Sequence, residues 1–255
     1  MTNERVDTVE NYFKRVSIIS KVSNILFWCS IILSFAIFFS EEYLGLNILL
    51  TVFFILITVL YFIFSNWLSL FLLREAQNRR RVHLLSDSLG SKLDDEETNL
   101  YYNNPELPSL YRLGMNVFEN SLFTLRVTEK IAIMERLKII LYLIVWISLM
   151  LVRETDLNLI SIVAQTIFTT GILISWIKLE ILRFTSEKIF KEFRQLFLTN
   201  GIEKNDKVIP IILNLVFSYE TTVASMGVHL SSKIFHSINP NVSTEWETVK
   251  RNIGL

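Results

Sequence analysis

Apolar residues along this chain gather into four long runs that carry almost no charge: Val22 to Phe39, Leu44 to Leu73, Ile139 to Val152 and Leu157 to Ile177. The second is uncharged throughout. As a helix it measures roughly 45 Å, more than the ~30 Å hydrocarbon core of a bilayer requires. The first is diluted by Ser23, Asn24, Ser30 and Ser34 but can still span, and the fourth is long enough too. The third is the weakest, about 14 residues against the roughly 20 of a spanning helix. It lengthens if Lys138 and Arg136 stretch their charged ends to the interface. A buried helix of a soluble domain would account for the third run alone, but not for the second.

Short connections, "SEEY" and "RETD", join the runs into two hairpins and contain a single basic residue, Arg153. The other flanks are basic: Lys14, Arg15 and Lys21, then Arg74 and Arg79 to Arg81, then Arg126, Lys130, Arg136 and Lys138, then Lys178 and Arg183. Positive flanks stay inside, which places both termini and the central insert in the cytoplasm. The expected fold is an all-α integral membrane protein. Four transmembrane helices form two hairpins, and a cytosolic helical sub-domain is built from the 74–138 insert and the C-terminal helices. The expected parts are an N-terminal amphipathic segment at 1–21, hairpins at 22–73 and 139–177, the insert at 74–138 and C-terminal helices at 178–255. The first segment mixes both signs of charge and lacks the layout of a secretory signal. It either lies on the bilayer or joins the cytosolic helices.

Within the insert, "REAQNRRRVHLLSDSLG" predicts that the second span continues as a charged helix. Val82, Leu85 and Leu89 share a face, and Gly90 is the stop. Arg79, Arg80 and Arg81 are consecutive, so at 100° per residue they cannot all face one ligand. Arg80 or Arg81 either binds an anion or serves as topogenic charge against lipid phosphates or the acidic run Asp94 to Glu97. "YYNNPELPS" reads as a turn, because asparagine side chains bond nearby backbone and proline forces its predecessor out of the helical region. Tyr101, Tyr102, Asn103 and Asn104 either stack on and read an unpaired base or form an ordered turn packed on neighbouring helices. Ser109 caps the next helix, in which Met115, Phe118, Leu122 and Leu125 are expected core. Asn116, Glu119, Phe123, Arg126 and Lys130 form a stripe on the other side that contacts a ligand or another subunit, and Arg112 joins the candidate binding set. Gly114 is expected to let another backbone approach.

Beyond the last span, Leu182, Ile189, Phe193 and Leu196 keep a helical stripe while Arg183, Glu187 and Lys191 are spaced for local ion pairs. Asn200-Gly201 is a stop. A second helix is expected from Lys207, capped by Asp206, to about Ile234 before "NPN" ends it. These helices are expected to pack on the insert, either as plain structural support or as part of a sensor.

Composition narrows the function further. Twenty-five basic and 25 acidic residues leave no net charge, which removes any bulk attraction to polymeric nucleic acid. One cysteine, Cys29, rules out an intrachain disulfide, and the histidines His83, His229 and His236 lack zinc-enzyme spacing. No phosphate-binding loop, nucleophile elbow or paired-carboxylate motif is present, so neither an enzyme, a metal site nor a cofactor is expected. Asn47, Thr51, Ser65, Asn66 and Ser69 are the polar residues of the second span. They either line a pore or glue helices together in lipid.

The segments "REAQNRRRVHLLSDSLGSKL", "YYNN" and "LPSLYRLGMNVFENSLFT" resemble the SMODS-associated four-transmembrane effectors of bacterial cyclic-oligonucleotide antiphage systems. The matching positions are Arg80, Leu84, Leu85, Asp87, Ser88, Gly90, Tyr101 to Asn104, Asn116, Phe118, Glu119, Phe123 and Thr124. Ser86 departs from the pattern where an aspartate is expected, unless Asp87 fills that place after a shift of one. The resemblance implies a bacterial inner-membrane effector that a cyclic nucleotide gates to permeabilise the membrane in abortive infection. It further implies a homo-oligomer whose ligand would meet Arg80, Arg81, Tyr101, Tyr102, Asn103, Asn104, Arg112, Asn116 and Glu119. The competing readings are a membrane-anchored scaffold that recruits a protein partner and a constitutive small-ion channel.

Overall fold

The computed structural model describes residues 8–40, 42–93, 95, 104, 106–151, 172–200 and 206–254. Every regular element among them is helical. They are α1 (Glu10–Phe39), α2 (Leu44–Trp67), a π turn (Leu68–Leu72), α3 (Leu73–Leu89), α4 (Leu110–Leu151), α5 (Ile172–Asn200), a 3-10 turn (Asp206–Val208), α6 (Ile209–Met226) and α7 (Ser232–Asn252). Among the described residues three stretches are long and apolar enough to cross a membrane: Glu10–Ile37, Leu44–Leu89 and Asp206–Met226. Along the second, large side chains such as Phe62 and Phe71 are 67% and 65% exposed. So much uncovered apolar surface is the mark of a membrane protein. Of the other two expected spans, the third forms the end of α4 as far as Leu151. The fourth lies mostly outside the described residues, with only 172–177 opening α5.

The chain forms two compact units. The first gathers Met1–Phe13, Arg74–Ile133 and Lys178–Leu255, and the second gathers Lys14–Leu73 and Met134–Ile177. Each passage of the chain from one unit to the other falls within helical backbone: inside α1, at the start of α3, inside α4 and inside α5.

In the second unit, the α1–α2 hairpin is fastened by a polar side chain. Asn47 Nδ2 donates to the Ile37 carbonyl at 3.0 Å and to Ser40 Oγ at 3.2 Å. The Ile37 carbonyl also accepts the Ser40 N–H at 3.1 Å and Ser40 Oγ at 2.9 Å, so the end of α1 is closed locally and the Asn47 amide ties α2 onto it.

The first unit is held by an aromatic core. Phe118 of α4 sits within 5.0–5.8 Å, centroid to centroid, of Phe190, Phe193 and Phe197 of α5 and Trp246 of α7. The predicted core positions Met115, Phe118, Leu122 and Leu125 are all buried. Gly90 ends α3 in the left-handed region, φ 67°, and the Ser91 N–H donates back to the Ser86 carbonyl at 3.2 Å. That pattern caps a helix and needs glycine. Space requires it as well, since a Cβ there would lie 2.9 Å from Pro108.

Two sequence expectations fail in instructive ways. The helix expected from Lys207 to about Ile234 stops at Met226, because Gly227 turns left-handed at φ 56°. Ser231 then caps a new helix by accepting the Ile234 N–H at 3.4 Å. Pro240 of "NPN" lies inside α7 instead of ending it. A proline deprives a helix interior of one donor, but the burial of Val242, Trp246 and Val249 just beyond it holds the helix on course. Gly114 meets a side chain first. It admits the Ile212 side chain of α6, whose Cγ2 would be 2.7 Å from a Cβ at that position.

Candidate functional site

Two places in the first unit gather polar chemistry. One lies where the chain returns from the end of α3 to the start of α4. Pro108 and Ser109 prepare the helix, and the Arg112 N–H donates to Ser109 Oγ at 3.2 Å. Asn104 makes the expected turn, its Oδ1 accepting the Glu106 N–H at 3.0 Å. Its Nδ2 donates to Asn116 Oδ1 at 3.1 Å. Asn116 is fully buried and donates in turn to Asp87 Oδ2 at 3.2 Å and Ser88 Oγ at 3.0 Å. Arg112 Nη2 reaches both Asp87 oxygens at 3.0 Å, and its Nη1 donates to the Glu106 carbonyl at 2.9 Å. The result is a polar lock. Asp87, Ser88, Asn104, Arg112 and Asn116 bond to one another and fasten the 104–109 segment across two helix ends. Tyr101, Tyr102 and Asn103 lie outside the described residues.

The three consecutive arginines meet three different fates, as their 100° spacing requires. Arg79 lies over the Tyr12 ring, 5.4 Å from its centroid. Arg81 is exposed and donates to Asn78 Oδ1 at 2.7 Å. Arg80 donates to both oxygens of Glu220 on α6, at 2.7 and 2.9 Å, with side chains only 14% and 10% exposed. A buried carboxylate needs such a partner.

The expected polar stripe of α4 is largely the face on which α7 packs. Arg126 bonds Glu245 at 2.6 and 3.0 Å, and Phe123 meets Phe235 at 5.8 Å. Glu119 is half-buried, and desolvation pushes its carboxyl up to about 7, with Lys250 opposing the rise and Glu247 adding to it. In the second span, Thr51 and Asn66 bond carbonyls four residues back at 2.8 and 2.7 Å. Asn47 serves the hairpin, Ser65 is half-buried, and Ser69 is exposed within the π turn.

The second place was not anticipated. A cavity of about 200 Å³ opens in the first unit. It is lined by the start of α1, by Gln77 and Arg80 of α3, by one face of α4, by Leu182 of α5, and by α6, α7 and the link between them. Beneath it Thr124 Oγ1 and Tyr219 OH share a buried hydrogen bond of 2.7 Å, and Tyr219 OH also donates to the Asn120 carbonyl at 3.3 Å. One signal in the sequence pointed this way: Glu220, directly after Tyr219, is the one charged residue of α6. Among the described residues, no three His, Cys, Asp or Glu side chains come together in a metal-binding arrangement. No protein-family model, curated protein or solved structure matches the chain.

Proposed function

We propose that this chain is a ligand-gated membrane effector of bacterial antiphage defence. In this reading a cyclic nucleotide binds the helical first unit in the cytoplasm, and an assembly of identical subunits then permeabilises the inner membrane. The carrying observation is that every passage between the two units lies in continuous helical backbone. A helix resists bending, so a ligand that prefers one arrangement of the first unit biases the arrangement of the spans by its difference in affinity for the two. The motif likeness supplies the ligand class.

Four spans with both termini cytoplasmic belong to the same reading, so Asp206–Met226 is not a crossing despite its composition. Its residues Ile212, Leu215, Val216 and Tyr219 are buried in the aromatic core, and Glu220 is paired with Arg80. Lipid would strip all of these of their partners.

Full-length protein reconstituted in liposomes loaded with a small dye tests the proposal against a panel of cyclic di- and trinucleotides. Release with one class of ligand, and none without it, is the expected result. Correctly inserted protein that leaks with none of them overturns the proposal in favour of the scaffold; leak without any ligand favours the constitutive channel.

A further inference from the structure

The polar lock is closed by bonds among its own side chains, whereas the second place encloses a volume. Its lining has a second property. It draws on each of the four helices that carry the chain onward into the second unit: α1 through Phe13, α3 through Gln77, α4 through Asn120 and α5 through Leu182. An occupant would touch every one of them at once.

The chemistry of the wall limits what that occupant is. Phe13, Phe123 and Phe235 supply rings, Gln77 supplies an amide with a donor and an acceptor, and aliphatic side chains such as Val127 and Leu182 make up much of the rest. Aromatic faces beside amide edges hold unpaired bases. Arg80 is the one permanent cation of the lining, beside His236; Glu220 neutralises the arginine, and Glu10 adds a negative charge. A phosphate therefore meets no positive surplus there. The volume, about 200 Å³, falls short of the roughly 300–1,000 Å³ that encloses a whole drug-sized ligand. It suits one ring system.

We infer that this cavity receives a single uncharged nucleobase, entering base-first with the phosphates left outside. The inference rests on the cyclic-nucleotide reading above and names the part of the signal that the protein reads. It also separates ligand recognition from the lock, whose task is to hold the ends of α3 and α4 in register.

Binding of adenosine, guanosine, cytidine, uridine and inorganic phosphate to the full-length protein in nanodiscs tests it. At least one nucleoside is expected to bind and phosphate is not. Val223→Phe fills the cavity and is expected to weaken nucleoside binding at least tenfold at unchanged unfolding temperature. Should that variant misfold, Phe235→Leu, which removes a ring and keeps the apolar volume, is expected to weaken binding by a similar factor. Absence of binding by all four nucleosides, wild-type affinity in the folded variants, or binding of phosphate alone overturns the inference. Dye release keeps the two claims apart. Cyclic-nucleotide release that survives in Val223→Phe removes the cavity from the mechanism and leaves the effector standing. Cavity-dependent nucleoside binding without release by any cyclic nucleotide does the reverse.

Discussion

The lock and the cavity are built from the same materials and do opposite things with them. Each contains an arginine–carboxylate pair joining distant segments, Arg112 with Asp87 in one and Arg80 with Glu220 in the other. Each has amides close by. In the lock, Asn116 spends its amide oxygen and both amide hydrogens on Asn104, Asp87 and Ser88. Around the cavity the amide of Gln77 borders a void. The lesson is that a polar motif marks a binding site only where a volume accompanies it. Five of the positions that carry the family likeness, Asp87, Ser88, Gly90, Asn104 and Asn116, serve the connection between α3 and α4, which is a reason for a motif to recur that involves no ligand.

The sharpest way to break this contrast is Arg80→Met. It leaves Glu220 buried without its cation and should cost about 3–5 kcal/mol in denaturant unfolding, while Arg80→Met with Glu220→Leu recovers most of the loss. A small effect would mean that water, not the arginine, solvates the carboxylate and that the cavity wall is wet. Next comes Asn116→Leu, which strands hydrogen-bonding groups on Asp87, Ser88 and Asn104. We expect about 3 kcal/mol of destabilisation with nucleoside binding intact in the folded fraction. Loss of binding in protein that is still folded would move recognition back to the lock.

A third test uses pH. The Glu119 carboxyl sits at about 7 in the fold against an ordinary 4.5, so the folded chain holds that proton more tightly than the unfolded one. Its contribution is complete below the ordinary value and is lost as pH rises through about 7. Glu119→Gln should therefore flatten the fall in stability across that window, by about 2 kcal/mol once partial solvent access is allowed for. Thermal unfolding at a series of pH values reads this directly; a parallel shift of the whole curve would show that Glu119 does not cause the slope. Smallest of all is Arg81→Ala. With an exposed side chain bonded only to Asn78 among the partners seen, it should change stability by less than about 0.5 kcal/mol and leave dye release unaltered.

What could be read in advance was local. The first two uncharged runs long enough to span, the Gly90 stop, the Ser109 cap and the core face of α4 all follow from spacing along one helix, and each is present. The pairing of Arg80 with Glu220 joins residues 140 positions apart, and no periodicity encodes which helix a face will meet. The α4 stripe shows this well. Its polarity was legible, but its partner, α7, was not, because "NPN" seemed to forbid a helix there. The cavity was invisible for the same reason: it is a property of six helices together and of none alone.

Gly114 carries one more consequence. With no side chain of its own it accepts Ile212, and so sets how closely α6 lies against α4 at a point well away from the void. Gly114→Ala would act as a shim. The added methyl must displace Ile212, and a stiff α6 would carry that displacement along to Tyr219 and Val223 on the far wall. The bore of the chamber is thus adjustable from a position that no occupant ever contacts.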